Sequence, residues 1–100
     1  MNAGLSPEHL AQILKIFRKY PQIDEVILFG SRAKGTHREG SDIDIALKGR
    51  GLDSRLLTQI DLDYDALYLP WKLDVVIYDR IENQDLKDHV DRVGVPLYRP

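Results

Sequence analysis

Apolar and polar positions alternate with two different periods along this chain, and the changes of period mark its elements. Leu10, Ile13, Leu14 and Phe17 recur at helical spacing behind Ser6-Pro7-Glu8. A serine cap, a proline suited to the first helical position and an acid at the positive helix end predict a helix start there. Tyr20-Pro21 ends it. The run Ile23 to Phe29 predicts a strand whose last four residues, Val26 to Phe29, are continuously apolar, as in a central strand covered on both faces. A short helix through Arg32 and Ala33 follows, then a turn containing Gly35, Thr36 and Gly40. From Asp42 to Leu47 the period becomes two: Ile43, Ile45 and Leu47 alternate with Asp42, Asp44 and Ala46. A strand here sends both carboxylates to one face.

After the loop Lys48-Gly49-Arg50-Gly51, Asp53 is placed to cap a third helix with a stripe of Leu57, Ile60, Tyr64 and Leu67, and Pro70 closes that segment. Lys72 to Tyr78 predicts a third strand, apolar except for Asp74. Asn83 can cap a last helix with Leu86, Val90 and Val93 inward, and Gly94 occupies the position of a C-terminal stop. Pro96 prevents its continuation, and Leu97-Tyr98 either adds an edge strand or docks on the sheet. The order predicts an α/β (α+β) fold, a small mixed β-sheet flanked by helices, in a single domain over residues 1–100.

Composition narrows the chemistry. Sixteen acidic against fourteen basic residues give a formal charge of -2, which argues against a broad nucleic-acid-binding face. The 43% hydrophobic content supports a packed core. Cysteine is absent, so a metal must be held by oxygen or imidazole. No apolar run approaches the ~20 residues that span a bilayer, and no signal-peptide pattern opens the chain. A cytoplasmic protein without membrane attachment is the expectation.

The stretch Phe29 to Leu47 carries the candidate chemistry. Gly30-Ser31 ends an apolar strand at the start of a short helix. There a glycine lets the backbone approach a phosphate closely and a hydroxyl adds a hydrogen bond. Asp42 and Asp44, with α-carbons roughly 6–7 Å apart on a strand, can reach one metal site. Hard divalent cations held by carboxylates clamp the attacking and leaving oxygens of an in-line displacement. Asp74 is the acid inside the remaining apolar run and supplies a third carboxylate, costly to bury without a partner or metal. It can also be read as a structural acid paired with Lys72 or Arg32. Arg32 and Lys34 either neutralise phosphate charge or are ordinary exposed basic residues. Trp71 reads as packing and His37 as a solvated loop residue. Asp61-x-Asp63-x-Asp65 imitates a calcium loop but has Ala66 and Lys72 where a glycine and a glutamate are needed, so a polar helix face is the better account.

Gly30-Ser31, Asp42-x-Asp44 and the later strand residue Asp74 together resemble the DNA polymerase β-like nucleotidyltransferase superfamily. The short length, the Gly-Ser-Arg-Ala-Lys-Gly turn and the run Leu69 to Asp74 resemble, more narrowly, the minimal nucleotidyltransferases that act as antitoxin-type partners of helical HEPN proteins. The resemblance implies a polymerase β palm-like fold, with Gly30 and Ser31 holding a triphosphate. It further implies Asp42 and Asp44 coordinating two Mg²⁺ ions (Mn²⁺ as a substitute) and Asp74 joining the ion that activates the acceptor hydroxyl. The implied reaction moves a nucleoside monophosphate, AMP from ATP, to a hydroxyl on a HEPN-type partner in a toxin-antitoxin-like module, within a homo- or hetero-oligomer. Two other readings stand beside it. One is a catalytically silent antitoxin acting by contact; the other is a small-molecule nucleotidyltransferase, whose usual extra helical domain is missing here.

Overall fold

The computed structural model describes residues 4–98. Ser6 Oγ accepts a hydrogen bond from the His9 amide at 3.1 Å, and Pro7 opens α1 (Pro7–Arg18). β1 (Ile23–Phe29) leads directly into the short α2 (Gly30–Lys34), and β2 (Ile43–Gly49) follows. Asp53 caps α3 (Ser54–Asp65) by accepting from the Leu56 amide at 2.9 Å. β3 (Leu73–Ile77) ends in a 3-10 turn (Tyr78–Arg80), and Asn83, accepting from the amides of Asp85 and Leu86, caps α4 (Gln84–Val93). β4 (Val95–Tyr98) completes a four-stranded sheet in the order β3-β2-β1-β4. Among the described residues, β2 and β3 pair in parallel and the other two pairings are antiparallel. The expected small mixed sheet flanked by helices is the observed architecture.

β1 is central, as its unbroken apolar run requires. Val26 and Leu28 face the larger core with Ile13, Phe17, Ile60 and Tyr64 from α1 and α3, while Ile27 and Phe29 face the smaller core with Ala46 and Val90 of α4. Alternation along one strand thus feeds two layers. Ile16 and Leu56 are buried where only their neighbours were expected, and Leu10, Leu14 and Leu57 are half-buried. A helix packed against both a sheet and another helix buries a wider arc than one stripe.

Element ends differ from the sequence reading: Lys48 and Gly49 extend β2 into the expected loop, and Lys72 lies before β3. Asp42 lies just before β2 rather than in it, and Tyr78 turns out of β3. β4 begins at Val95 and includes Pro96, which an edge strand tolerates because its outer side needs no donor. Gly94 has φ -60 and is not left-handed. Space requires it instead: a side chain there would meet the Val90 carbonyl and the Ile27 side chain.

α1 and α3 are tied at their ends. The Tyr20 hydroxyl donates to Asp63 Oδ2 at 2.6 Å and Lys19 Nζ to the same oxygen at 3.0 Å. Burial, the hydrogen bond and the Asp63 charge push the Tyr20 hydroxyl up to about 12. The Tyr20 bond in turn holds the Asp63 carboxyl below its ordinary value. Tyr20→Phe is expected to cost about 1 kcal/mol in urea unfolding at neutral pH. A depressed carboxylate stabilises above its unfolded pKa and loses that contribution as pH falls through its folded value. The gap between wild type and Tyr20→Phe should therefore narrow in acid. Among the described residues no helix is long and apolar enough to cross a membrane.

Candidate active site

The site is assembled where β1 ends and β2 and β3 begin, at one level of the sheet. Phe29 is paired with Asp44 across the antiparallel β1–β2 ladder, and Asp44 with Asp74 across the parallel β2–β3 ladder. Register partners on adjacent strands have α-carbons about 4.8 Å apart and side chains on the same face, so Asp44 and Asp74 stand side by side. Gly30, next after Phe29, turns the chain into α2. Its φ is 76, a conformation that costs an L-residue about 1–2 kcal/mol. Its missing side chain matters as much: a Cβ there would collide with the Asp44 carboxylate.

Asp44 is the electrostatic centre. Burial, then the negative charges of Asp74 and Asp42, raise its carboxyl above the usual range; the His89 ring when protonated and the Arg32 guanidinium pull the other way. Asp42 and Asp74 thus both lie within electrostatic reach of Asp44. Asp42 and Asp74 are exposed, so the cost of burying Asp74 does not arise. The donor set is all oxygen and mutually repelling, the chemistry that suits a hard divalent cation. Among the described residues, no three acidic or imidazole side chains already converge on one metal position. The exposed carboxylates have room to turn.

Arg32 is not the ordinary exposed basic residue of one sequence reading. It is 2% exposed, and its Nε and a terminal nitrogen donate to the Ser41 carbonyl at 3.1 and 2.8 Å. Its guanidinium lies 5.6 Å from the Trp71 ring centre. It therefore anchors the loop immediately before Asp42. Ser31 is half-buried and Lys34 exposed at the same turn. Arg32→Ala is expected to destabilise by about 2–3 kcal/mol, because the buried guanidinium and its charge-assisted bonds to the half-buried Ser41 are lost. Lys34→Ala should stay within about 0.5 kcal/mol. Urea unfolding of the two variants separates them.

His89 went unnoticed as a site residue. The Gly30 amide donates to its Nε2 at 3.2 Å, and its ring meets Phe29 edge to face with centres 6.1 Å apart. α4 thereby props the turn through the Gly30 amide. The signal was present: His89 follows Leu86 by one helical turn and adjoins Val90 on the inward stripe. His37 is half-buried against Gly4 rather than solvated, with Nδ1 buried and without a hydrogen-bond partner among the described residues. Trp71 packs, as expected, meeting His9 edge to face at 5.3 Å.

Residues 11–100 match the family model "Polymerase beta, Nucleotidyltransferase". The chain belongs to this nucleotidyltransferase family. It is 30% identical over 102 residues to the Methanocaldococcus jannaschii protein MJ0141, provisionally named a protein adenylyltransferase, covering 88% of this chain and 98% of that one. A toxin–antitoxin crystal structure with AMP-PNP superposes with a TM-score of 0.75 at 26% identity, over 91% of this nucleotidyltransferase and 73% of the solved chain. A Shewanella oneidensis complex of a tri-AMPylated HEPN toxin with MNT antitoxin shares the fold at a TM-score of 0.62 and 24% identity, over 93% and 71% of the two chains.

Proposed function

We propose that this nucleotidyltransferase transfers the adenylyl group of ATP to a hydroxyl on a HEPN-type partner protein. The observation that carries the reading is the register pairing of Asp44 with Asp74, with Gly30 packed so closely on Asp44 that no side chain fits between. The relative named for protein adenylylation and the structure holding AMP-PNP support it.

In this reading Gly30 and Ser31 hold the triphosphate, with Lys34 facing its charge, and Arg32 fixes the approach to Asp42. Asp42, Asp44 and Asp74 would hold two Mg²⁺ ions, which supply charge stabilisation to the attacking and leaving oxygens when bound. The acceptor oxygen attacks the α-phosphorus, the bond to pyrophosphate breaks, and Asp74 takes the hydroxyl proton. The products are pyrophosphate and an AMP ester of the partner.

The test is incubation with ATP labelled at the α-phosphate, Mg²⁺ and a purified HEPN protein. Label is expected on the HEPN protein with wild type and none with Asp42→Ala plus Asp44→Ala. If that double variant neutralises a HEPN toxin as well as wild type does, the chain acts by contact. Labelling of a small molecule without any protein acceptor would move the assignment to the small-molecule class.

A further inference from the structure

β3 is an outer strand of the sheet, with no neighbour beyond it among the described residues. Which of its peptide groups face outward follows from the register. The Ile43 amide donates to the Lys72 carbonyl at 2.8 Å, and Ile43 is paired with Leu73. In a parallel ladder alternate residues of one strand bond the other, so Lys72, Asp74 and Val76 turn to β2. Leu73, Val75 and Ile77 aim their N–H and C=O groups away from the sheet. Such an edge templates further pairing unless lysine, proline or a bulge blunts it. β3 carries neither residue and keeps an unbroken register.

Two more features lie along this edge. At the end of β3 opens a cleft of about 340 Å³, walled by Leu57, Val75, Ile77, Ile81 and Leu86. Before its start stands Tyr68, which borders one hollow together with Leu73 and is 92% exposed. Its φ is 53, which makes it the non-glycine residue with left-handed backbone among those described, a conformation that glycine takes without strain. The ring contributes nothing to this chain's own core.

We propose that the β3 edge pairs antiparallel with the β3 edge of a second copy of this chain, each copy's Tyr68 entering the other's apolar cleft. The two-fold axis passes beside Val75, perpendicular to the sheet. Val75 then meets Val75 of the copy, and Leu73 meets Ile77. Each pair exchanges both N–H···O bonds, so the outward groups of β3 all find partners. An axis in this direction keeps each face of the sheet continuous. Leu73, Val75 and Ile77 belong to the larger core on the α1 and α3 side. Tyr68, beside Leu73 of one copy, therefore arrives at the wall of Leu57, Val75 and Ile77 of the other. A two-fold contact demands a surface that complements itself. Here an uncharged valine sits on the axis, and Asp74 stands opposite Val76 rather than another acid. Lys72 of one copy comes beside Tyr78 and Asp79 of the other. The inference stands apart from the nucleotidyl-transfer reading, and neither depends on the other.

Sedimentation equilibrium of the full chain, from about 1 to about 200 μM, reads the pairing. Wild type is expected to reach twice the chain mass within that range. Tyr68→Gly removes the ring and relieves the backbone. It should raise the dissociation constant about thirtyfold while the melting temperature of dilute protein rises rather than falls. Val75→Pro deletes a donor that faces outward and spares the β2 ladder, so it should leave a folded monomer. Leu62→Ala, at the other exposed large apolar residue, should leave the dimer unchanged. A wild type that stays monomeric throughout overturns the proposal; if it then binds a HEPN protein and Tyr68→Gly does not, the edge belongs to that partner. A dimer that Tyr68→Gly or folded Val75→Pro leaves as tight as wild type overturns it as well, because the contact then lies elsewhere.

Discussion

Replacing Asp44 with asparagine is expected to yield a protein that is more stable and almost inert. Asp44 lies between Asp74 on the neighbouring strand and Asp42 two residues earlier, and their charges together with burial raise its carboxyl. Evolved sites commonly keep such unfavourable charge pairs at a cost to the fold. Asparagine keeps the shape and removes the repulsion, so the variant should gain up to about 1 kcal/mol in urea unfolding at neutral pH. The sign of its pH dependence follows from the raised value. Between the unfolded and folded pKa the native state binds more protons than the unfolded one, so wild-type stability falls as pH rises through that window. The advantage of Asp44→Asn should be full above the raised value and vanish below the ordinary carboxylate range. Adenylyl transfer should fall by about a thousandfold or more, the scale of several kcal/mol of lost charge stabilisation. Wild-type transfer by this variant would remove Asp44 from the chemistry.

Gly30→Ala should damage both fold and activity, and Gly35→Ala shows how much of that is collision. Both glycines have φ 76, so both substitutions carry the left-handed cost of about 1–2 kcal/mol. A Cβ at Gly35 meets nothing within 4 Å, whereas at Gly30 it runs into Asp44. Relief requires Asp44 to swing away from Asp74, or the turn to lift off the sheet and away from His89. Either displaces groups that must meet within a fraction of an ångström. A loss of about a hundredfold or more in transfer is expected for Gly30→Ala, with a melting temperature below that of Gly35→Ala. Equal activity of the two variants would show that the close approach of Gly30 to Asp44 has no catalytic role.

What could be read in advance was local. Ser6, Asp53 and Asn83 cap helices by hydrogen bonds that span two or three residues, and each is seen doing so. The glycine and serine at the end of β1 were legible because a strand-to-helix turn needs them within two positions. The alignment of Asp74 with Asp44 is a pairing across thirty residues. No periodicity in either strand carries the parallel register that creates it. Arg32 illustrates the opposite limit: flanked by Ser31 and Ala33 it looks like any surface arginine, and only the Ser41 carbonyl and the Trp71 ring, brought in by folding, make it internal. The last helix stops before Pro96, as read, but Pro96 itself joins the edge strand, since only the finished sheet shows which side of β4 is the open edge.

The two helical layers flanking the sheet are unequally anchored, and the more weakly anchored one bears the prop for the Gly30 turn. α4 contributes Val90 as its one fully buried residue, against three each from α1 and α3. Regions with few buried contacts open at lower free energy than the main core. When this layer detaches, Gly30 loses its hold on His89 while the opposite side of the molecule stays intact. Mild warming can therefore slacken the candidate catalytic corner well before the protein melts.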